Sequence, residues 1–405
     1  MKKYLIIAIA AIAAMACSKV EAVDNAPDSP IRFSVVNHLQ RTKATQGLQY
    51  PTSVPFGANA WWTQETWDNT ANASKQTYVF MNNQEVAYAN GEWAPTVPFY
   101  WTKTGYITFA SYSPYVDDST KASKGFSALP AYDVNNGYIF TNYTIVDGTN
   151  VDLMYSDLAE DCTKKTNQTG VDVTDDKLEN TTDSGFIGVP TIFNHALCQI
   201  GFEFRAIGRM NPNVDRIVVD LEDVDIVNID KKGTFTQKNA IRWESDHTVA
   251  ANLANYDYQP ESTITLNLIE NTAANVAATN NYTALGITRI LLPQEFEEDD
   301  DPTDLTVDPI ATTSDQKLVV TYTIKIHYTS APADESDPAY WATEQVTSEV
   351  RLNNGTITAW RDNQNITYRI SINPYSTVPV TFDPAVADWT DIYSTDINLN
   401  EFDDE

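Results

Sequence analysis

The chain has 405 residues but only three cysteines, four histidines and 26 basic residues, against 55 acidic ones. Each scarcity closes off a class of function. A formal charge of -29 argues against binding nucleic-acid phosphates and against lying on anionic lipid by charge. His38, His195, His247 and His327 are scattered, and no H-E-x-x-H zinc pair occurs. No P-loop, G-x-G-x-x-G or G-x-S-x-G elbow is present. The sequence therefore predicts no enzyme, no catalytic residue, no cofactor and no metal centre. Apart from Cys17, only Cys162 and Cys198 remain, too few for a disulfide framework. Cys198 shares strand parity with Ile192, Ile200, Phe202 and Phe204, which favours a buried free thiol, although an oxidising location permits the pair. A sustained helical period is also missing.

What is present is period two. In "KLVVTYTIKIHY", Leu318, Val320, Tyr322, Ile324, Ile326 and Tyr328 alternate with Lys317, Thr321, Thr323, Lys325 and His327. Only strand geometry sorts those residues onto two faces. "GYITFASY", "RIVVDLEDVDIVN", "STITLNL" and "TYRISIN" read likewise, separated by clusters of Asn, Asp, Gly, Pro and Thr. The prediction is an all-β protein of sandwich type, and the length favours two domains. The polar residues 160 to 185 place the boundary before Val189, giving 42–188 and 189–405. His327, on a polar strand face beside Lys325, is expected to be solvated, and His195 to be structural. The acidic loop at 295 to 309 could hold a hard cation but lacks a D-x-[DN]-x-[DN]-G pattern, so a solvated hairpin is favoured. Trp61, Trp62 and Trp67 form the sharpest aromatic cluster. Exposed, they could stack on a glycan; the competing reading is core or interface packing.

The N-terminus carries targeting information. Lys2 and Lys3 precede an apolar run from Leu5 to Ala14, too short to span a bilayer stably, and "AMAC" follows. This order resembles a bacterial lipobox, with residues 1–16 as signal peptide and Cys17 as the lipidated first residue of the mature chain. A plain signal peptide with an incidental cysteine is the competing reading. Beyond it, "IRFSVVNHLQRTKATQG" alternates Ile31, Phe33 and Val35 and then exposes Arg41 and Lys43. No acid occurs from residue 29 to residue 64. The stretch is either ordinary structure or a site to be cut.

Several segments together resemble the fimbrillins of Bacteroidetes, the lipoprotein precursors of type V pili. They are "FYWTKTGYITFASYSPY" (99–115), "VDLMYSD" (151–157), "VPTIFNHALCQIGFEF" (189–204), "ITRILLPQEF" (287–296), and "WRDNQNITYRISINPY" with "VTFDPAVADWTD" (360–391). The resemblance implies two tandem transthyretin-like β-sandwich domains behind a lipoprotein signal peptide. It implies a structural subunit, stalk or tip, of a pilus on the outer membrane surface, supporting adhesion to a host or microbial surface. Its partners would be other pilin subunits, in a homo- or heteropolymer, and an Arg-specific protease. Applied residue by residue, residues 17–41 become a lipidated segment with a removable first strand, cut after Arg41. Losing Ile31, Phe33 and Val35 would vacate about 5–9 kcal/mol of apolar burial, at about 1.5–3 kcal/mol each. A neighbour's strand, for which Ile392, Ile397 and Leu399 are candidates here, would replace it. The alternative from another class is an outer-surface lipoprotein that keeps its lipid and binds glycans through Trp61, Trp62 and Trp67.

Overall fold

The computed structural model describes residues 30–37, 50–146, 151–164, 188–259, 262–296, 316–353, 357–375 and 380–388. Strands dominate them, as the alternation predicts. In β18 (Lys317–Tyr328), Leu318, Val320, Tyr322 and Ile324 are buried, and each neighbour between them is only half-buried. Two helices are single short turns, α1 (Asn72–Lys75) and α2 (Ala273–Ala277). Among the described residues, no helix is long and apolar enough to cross a membrane.

The first sheet closes on itself. Its order is β2 (Phe56–Thr63), β3 (Val79–Ala89), β4 (Glu92–Pro95), β1 (Phe33–Asn37), β10 (Val189–His195), β8 (Met154–Ser156) and β5 (Tyr106–Ser113), with β9 (Ala159–Cys162) also on β5. Because β5 pairs back onto β2, the circuit is a closed barrel, and β1 is the link between β4 and β10 among the described residues. Closure removes the exposed edges an open sheet would present. The β3–β4 hairpin turns at Asn90–Gly91, both at positive φ (54° and 86°), as a primed two-residue turn requires.

The second unit is a sandwich. One leaf runs β19 (Ala342–Arg351), β18, β12 (Val214–Asp230), with β15 (Leu253–Asp257) also on β12. The other holds β17 (Thr283–Leu291), β11 (Cys198–Gly208), β20 (Gln364–Ile372) and β21 (Val380–Asp388). β16 (Ile264–Glu270) joins them: Ile264–Asn267 pairs with β12, and Leu268–Glu270 with β11. The core between the leaves is mostly aliphatic, with Phe202 set edge-on to Tyr258 (4.7 Å) and stacked on Tyr368 (5.4 Å).

A third sheet ties the units together. It orders β14 (Trp243–Glu244), β13 (Lys232–Thr236), β7 (Gly137–Thr144) and β6 (Ala131–Asp133), so strands from both halves pair in it. Phe140 stacks on Phe235 at 5.3 Å, and the Trp243 indole N–H donates to the Ala196 carbonyl at 2.5 Å.

One expected element sits elsewhere. Val189–His195, placed by the sequence reading at the start of the C-terminal sandwich, pairs with β1 and β8 in the first sheet. The chain passes to the second unit through Ala196 and Leu197, both wholly buried. All seven residues of β10 are buried, so the strand has no solvent face to show alternation.

Candidate functional site: the groove beneath the first strand

β1 is short and terminal, yet it completes the barrel. It runs parallel to β10, with Phe33 opposite Val189 and Asn37 opposite Phe193. Its contact with β4 is one antiparallel register position, Phe33 opposite Trp93. Around these, the Ile31 N–H donates to the Phe99 carbonyl (2.8 Å), and the Val189 N–H donates to the Arg32 carbonyl (2.7 Å). Since Val189 donates toward β1, strand alternation turns the missing donor of Pro190 to the other edge, so the proline leaves the β1 ladder intact.

The side chains set the strength of the seat. Ile31 is wholly buried and Phe33 nearly so. The Phe33 ring lies edge-on to Phe56 (5.5 Å) and to Phe109 (5.6 Å). Val35, expected to face the core fully, is only half-buried at its rim. Two full burials give about 3–6 kcal/mol rather than the three-residue figure, with a smaller share from Val35. On the opposite face, the Arg32 guanidinium lies 2.9 Å from the Glu92 carboxylate, a close ion pair short of hydrogen-bond alignment. Both partners are well exposed, so the pair orients the strand more than it holds it.

Two residues shape the groove that the sequence reading did not single out. Gly188 has φ +119°, and a Cβ there would sit 2.6 Å from the Arg32 carbonyl oxygen, so only glycine lets the β1 backbone approach. Tyr50 is the first described residue after β1. Its ring stacks on Phe193 (5.0 Å), and its hydroxyl lies 2.5 Å from the Ser113 hydroxyl. The chain is therefore anchored in the core on both sides of Arg41. Gly188, within "SGFIGVP", could have been suspected as a close-approach glycine before a strong strand.

The other expected sites divide. Cys17, Arg41, Lys43, Ile392, Ile397 and Leu399 lie outside the described residues, as does the acidic loop from residue 297 on. Trp61 and Trp67 are core residues, not an exposed platform. Trp61 packs on Tyr132 (5.1 Å), and the Lys75 ammonium caps the Trp67 ring at 4.9 Å. Trp62 is half-buried, its indole N–H given to the Thr104 carbonyl. A coplanar Trp surface is thus not available from this cluster. Cys162 and Cys198 are both buried free thiols, and burial pushes the Cys198 thiol well above its ordinary range.

Three histidines lie beside carboxylates. His195 Nδ1 is 3.0 Å from Asp152 Oδ2, both buried. His247 and Ser245 both bond Asp230, at 3.1 and 2.6 Å, so the serine hydroxyl gives its proton to the carboxylate rather than to the imidazole. His327, expected in solvent, is covered: the loop after β18 folds back and stacks Tyr340 on it at 4.1 Å. A feature unseen in the sequence is the carboxylate group of Asp223, Asp225 and Asp257, brought within 4.8 Å across β12 and β15. Desolvation first, then the neighbouring carboxylates, push Asp225 up to about 6.

A barrel closed by its first described strand is joined through a shared sheet to a second β-sandwich, which defines an all-β protein of two units. The family model described as fimbrillin-like matches residues 59–389, and the chain belongs to that family. The match begins after β1. Among solved structures, the chain resembles a fimbrial protein from Bacteroides vulgatus at 15% identity and TM-score 0.54, covering 89% of this chain and 99% of that one. It also matches the tip fimbrial protein Mfa3 of Porphyromonas gingivalis, crystallised with a C-terminal truncation, at 10% identity and TM-score 0.31, covering 83% and 94%. No curated protein matches the chain.

Proposed function

We propose that this fimbrillin-like chain is a subunit of cell-surface fimbriae that assembles by exchanging β1 for a strand of a neighbouring subunit. In this reading the chain is exported as a lipoprotein held to the outer membrane through Cys17. A protease then cuts after Arg41, between β1 and the anchored Tyr50. Lipid and strand are lost together, so one cut both releases the subunit and vacates its groove.

The observation that carries the reading is the placing of β1. Among the described residues it is the one link between β4 and β10, yet it is short and seated chiefly by Ile31 and Phe33. Burial of about 3–6 kcal/mol is a large share of the roughly 5–15 kcal/mol that stabilises a domain. An emptied groove would therefore favour a replacement strand, which the unpaired backbone of β4 and β10 would bind by strand addition. The buried Trp61 and Trp67 remove the support for glycan stacking.

The test is the mature N-terminus of the protein taken from cells. Sequencing should begin at residue 42, and assembled material should run as ladders resistant to mild detergent. A mature chain that still begins at Cys17 would overturn the processing step.

A further inference from the structure

One end of the barrel carries an aromatic rim. β2 finishes there, and β3 and β5 start there: Trp61 lies opposite Val79, and Thr63 opposite Tyr106. Residues 96–100, after β4, reach the same end, where Pro30 bridges Tyr100 and the Ile31 N–H meets the Phe99 carbonyl. Trp62 meets Tyr78 edge-on at 5.5 Å, and Phe80 meets Phe99 at 5.6 Å. Tyr78, Val97 and Tyr100 are exposed, and Trp62, Phe80 and Phe99 are only half-buried. Apolar groups exposed together mark a contact surface, whereas single ones do not.

The rim also lacks acid. Of the chain's 55 acidic residues, none lies in 29–64, 69–84 or 93–116, the three stretches that supply it. The nearest acids along the chain, Glu65 and Asp68, flank Trp67, which packs on Trp61 (6.2 Å), on the face of β2 opposite Trp62. A carboxylate pressed against an apolar phase is costly, and this end has none to press. Trp and Tyr combine an apolar body with a polar tip, the chemistry that settles at a membrane–water interface.

The occupant follows from where the chain enters. Pro30 sits at this end, and only residues 18–29 separate it from Cys17, a reach of at most about 45 Å when extended. A tether that short holds the rim at high effective concentration beside whatever bears the anchor. Resting on the lipid-anchor step proposed above, we propose that the rim of Trp62, Tyr78 and Tyr100 is a membrane-contact surface, on which the uncut chain rests against the bilayer that holds Cys17. The contact is aromatic and uncharged, as a chain of net charge -29 requires. It also sets an orientation. β1 leads away from the rim to Asn37, so the chain enters the residues that carry Arg41 from the far end of the strand.

Quenching from the lipid tests the contact. The chain from Cys17 onward is coupled through that thiol to a maleimide lipid in phosphatidylcholine vesicles; Cys162 and Cys198 are buried and stay unreacted. Dibrominated phosphatidylcholine, which quenches tryptophan at short range, should dim the unsubstituted chain, and Trp62→Phe should lose most of that quenching. Tyr78→Asp with Tyr100→Asp should abolish it, while Tyr328→Asp, at a comparably exposed tyrosine of the second unit, should leave it unchanged. High salt should not reverse the quenching, because the contact is not ionic. No quenching in the unsubstituted chain, or quenching that Trp62→Phe leaves intact, overturns the proposal. A dimer in sedimentation that Tyr78→Asp with Tyr100→Asp breaks, without quenching on vesicles, gives the rim to a second copy and overturns it too. The tether here is supplied chemically, so these outcomes do not depend on lipidation in cells. That reading fails separately, if the N-terminal peptide of protein taken from cells carries no acyl mass.

Discussion

The two units solve the same packing problem with different security. In the second, β12 pairs with β18 from Val214 to Val227, and β18 pairs with β19 from Lys317, opposite Arg351, to Ile326, opposite Ala342; these strands are bound by long ladders. In the first, closure depends on β1, whose ladder spans Phe33 to Asn37 and whose grip on β4 is one register position. The second core is largely aliphatic, whereas the first is crowded with aromatic rings around Phe33. A few large side chains concentrate the seat of a short strand; many small contacts distribute the hold of a long one. Under the proposed strand exchange, the contrast marks the unit in which a strand would be replaced. The sheet shared by β7 and β13 joins the first unit to the second through backbone hydrogen bonds.

The largest expected effect tests this contrast directly. Phe33→Ala and Phe202→Ala should each cost about 3–5 kcal/mol in denaturant unfolding, since both remove a buried aromatic ring. They should differ in what opens. Phe33→Ala should loosen β1 alone and speed cutting after Arg41 by a sequence-specific protease. Phe202→Ala should leave that cutting rate unchanged under native conditions. Equal acceleration by both would mean that β1 is no more separable than any interior strand.

A smaller effect sharpens the same point. Gly188→Ala forces a Cβ against the Arg32 carbonyl and a non-glycine residue into φ +119°. Backbone strain alone costs about 1–3 kcal/mol, and the collision with β1 adds to it. The collision disappears once β1 is removed. The penalty measured by chemical denaturation should therefore be larger in the uncut chain than in the cut one. An identical penalty in both forms would show that Gly188 serves the turn and not the strand.

Much of this was legible in the residues. Alternation located β18 because one of its faces is apolar, and the parity of Ile31, Phe33 and Val35 revealed a strand turned to a core. The parity of Cys198 foretold a buried thiol. What was hidden depends on partners remote in sequence. β10 is buried on both faces, so no alternation said which sheet it joins. The Trp61–Trp67 pair reads alike for a sugar platform and for a core, because Tyr132 and Lys75, which cover it, arrive from other elements. His327 sits at a polar parity and is hidden only because Tyr340 folds over it. The existence of β1 was legible from alternation, whereas the asymmetry of its seat, deep at Ile31 and half-buried at Val35, required coordinates.

The smallest expected effect lies in the secure unit and asks whether charge disturbs it as strand loss disturbs the first. Asp225 is half-buried on β12 beside Asp223 and Asp257. Desolvation, followed by these two carboxylates, raises its folded pKa to about 6, from about 3.9 in an unfolded chain. The folded state thus holds the proton more tightly. As pH rises from about 4 to about 6, the unfolded chain releases its proton first, so stability falls; the full penalty is present above that window and absent below it. Asp225→Asn removes the charge. It should stabilise the chain at pH 7.5, by less than about 1 kcal/mol because solvent screens so accessible a group. At pH 4 the gain should vanish. Denaturant midpoints of the two chains at both pH values decide it: a difference that persists unchanged at pH 4 would mean that lost carboxylate packing, not relieved charge, sets the effect. Whatever its sign, this change should leave the cutting rate after Arg41 untouched, because among the described residues β12 does not pair with β1.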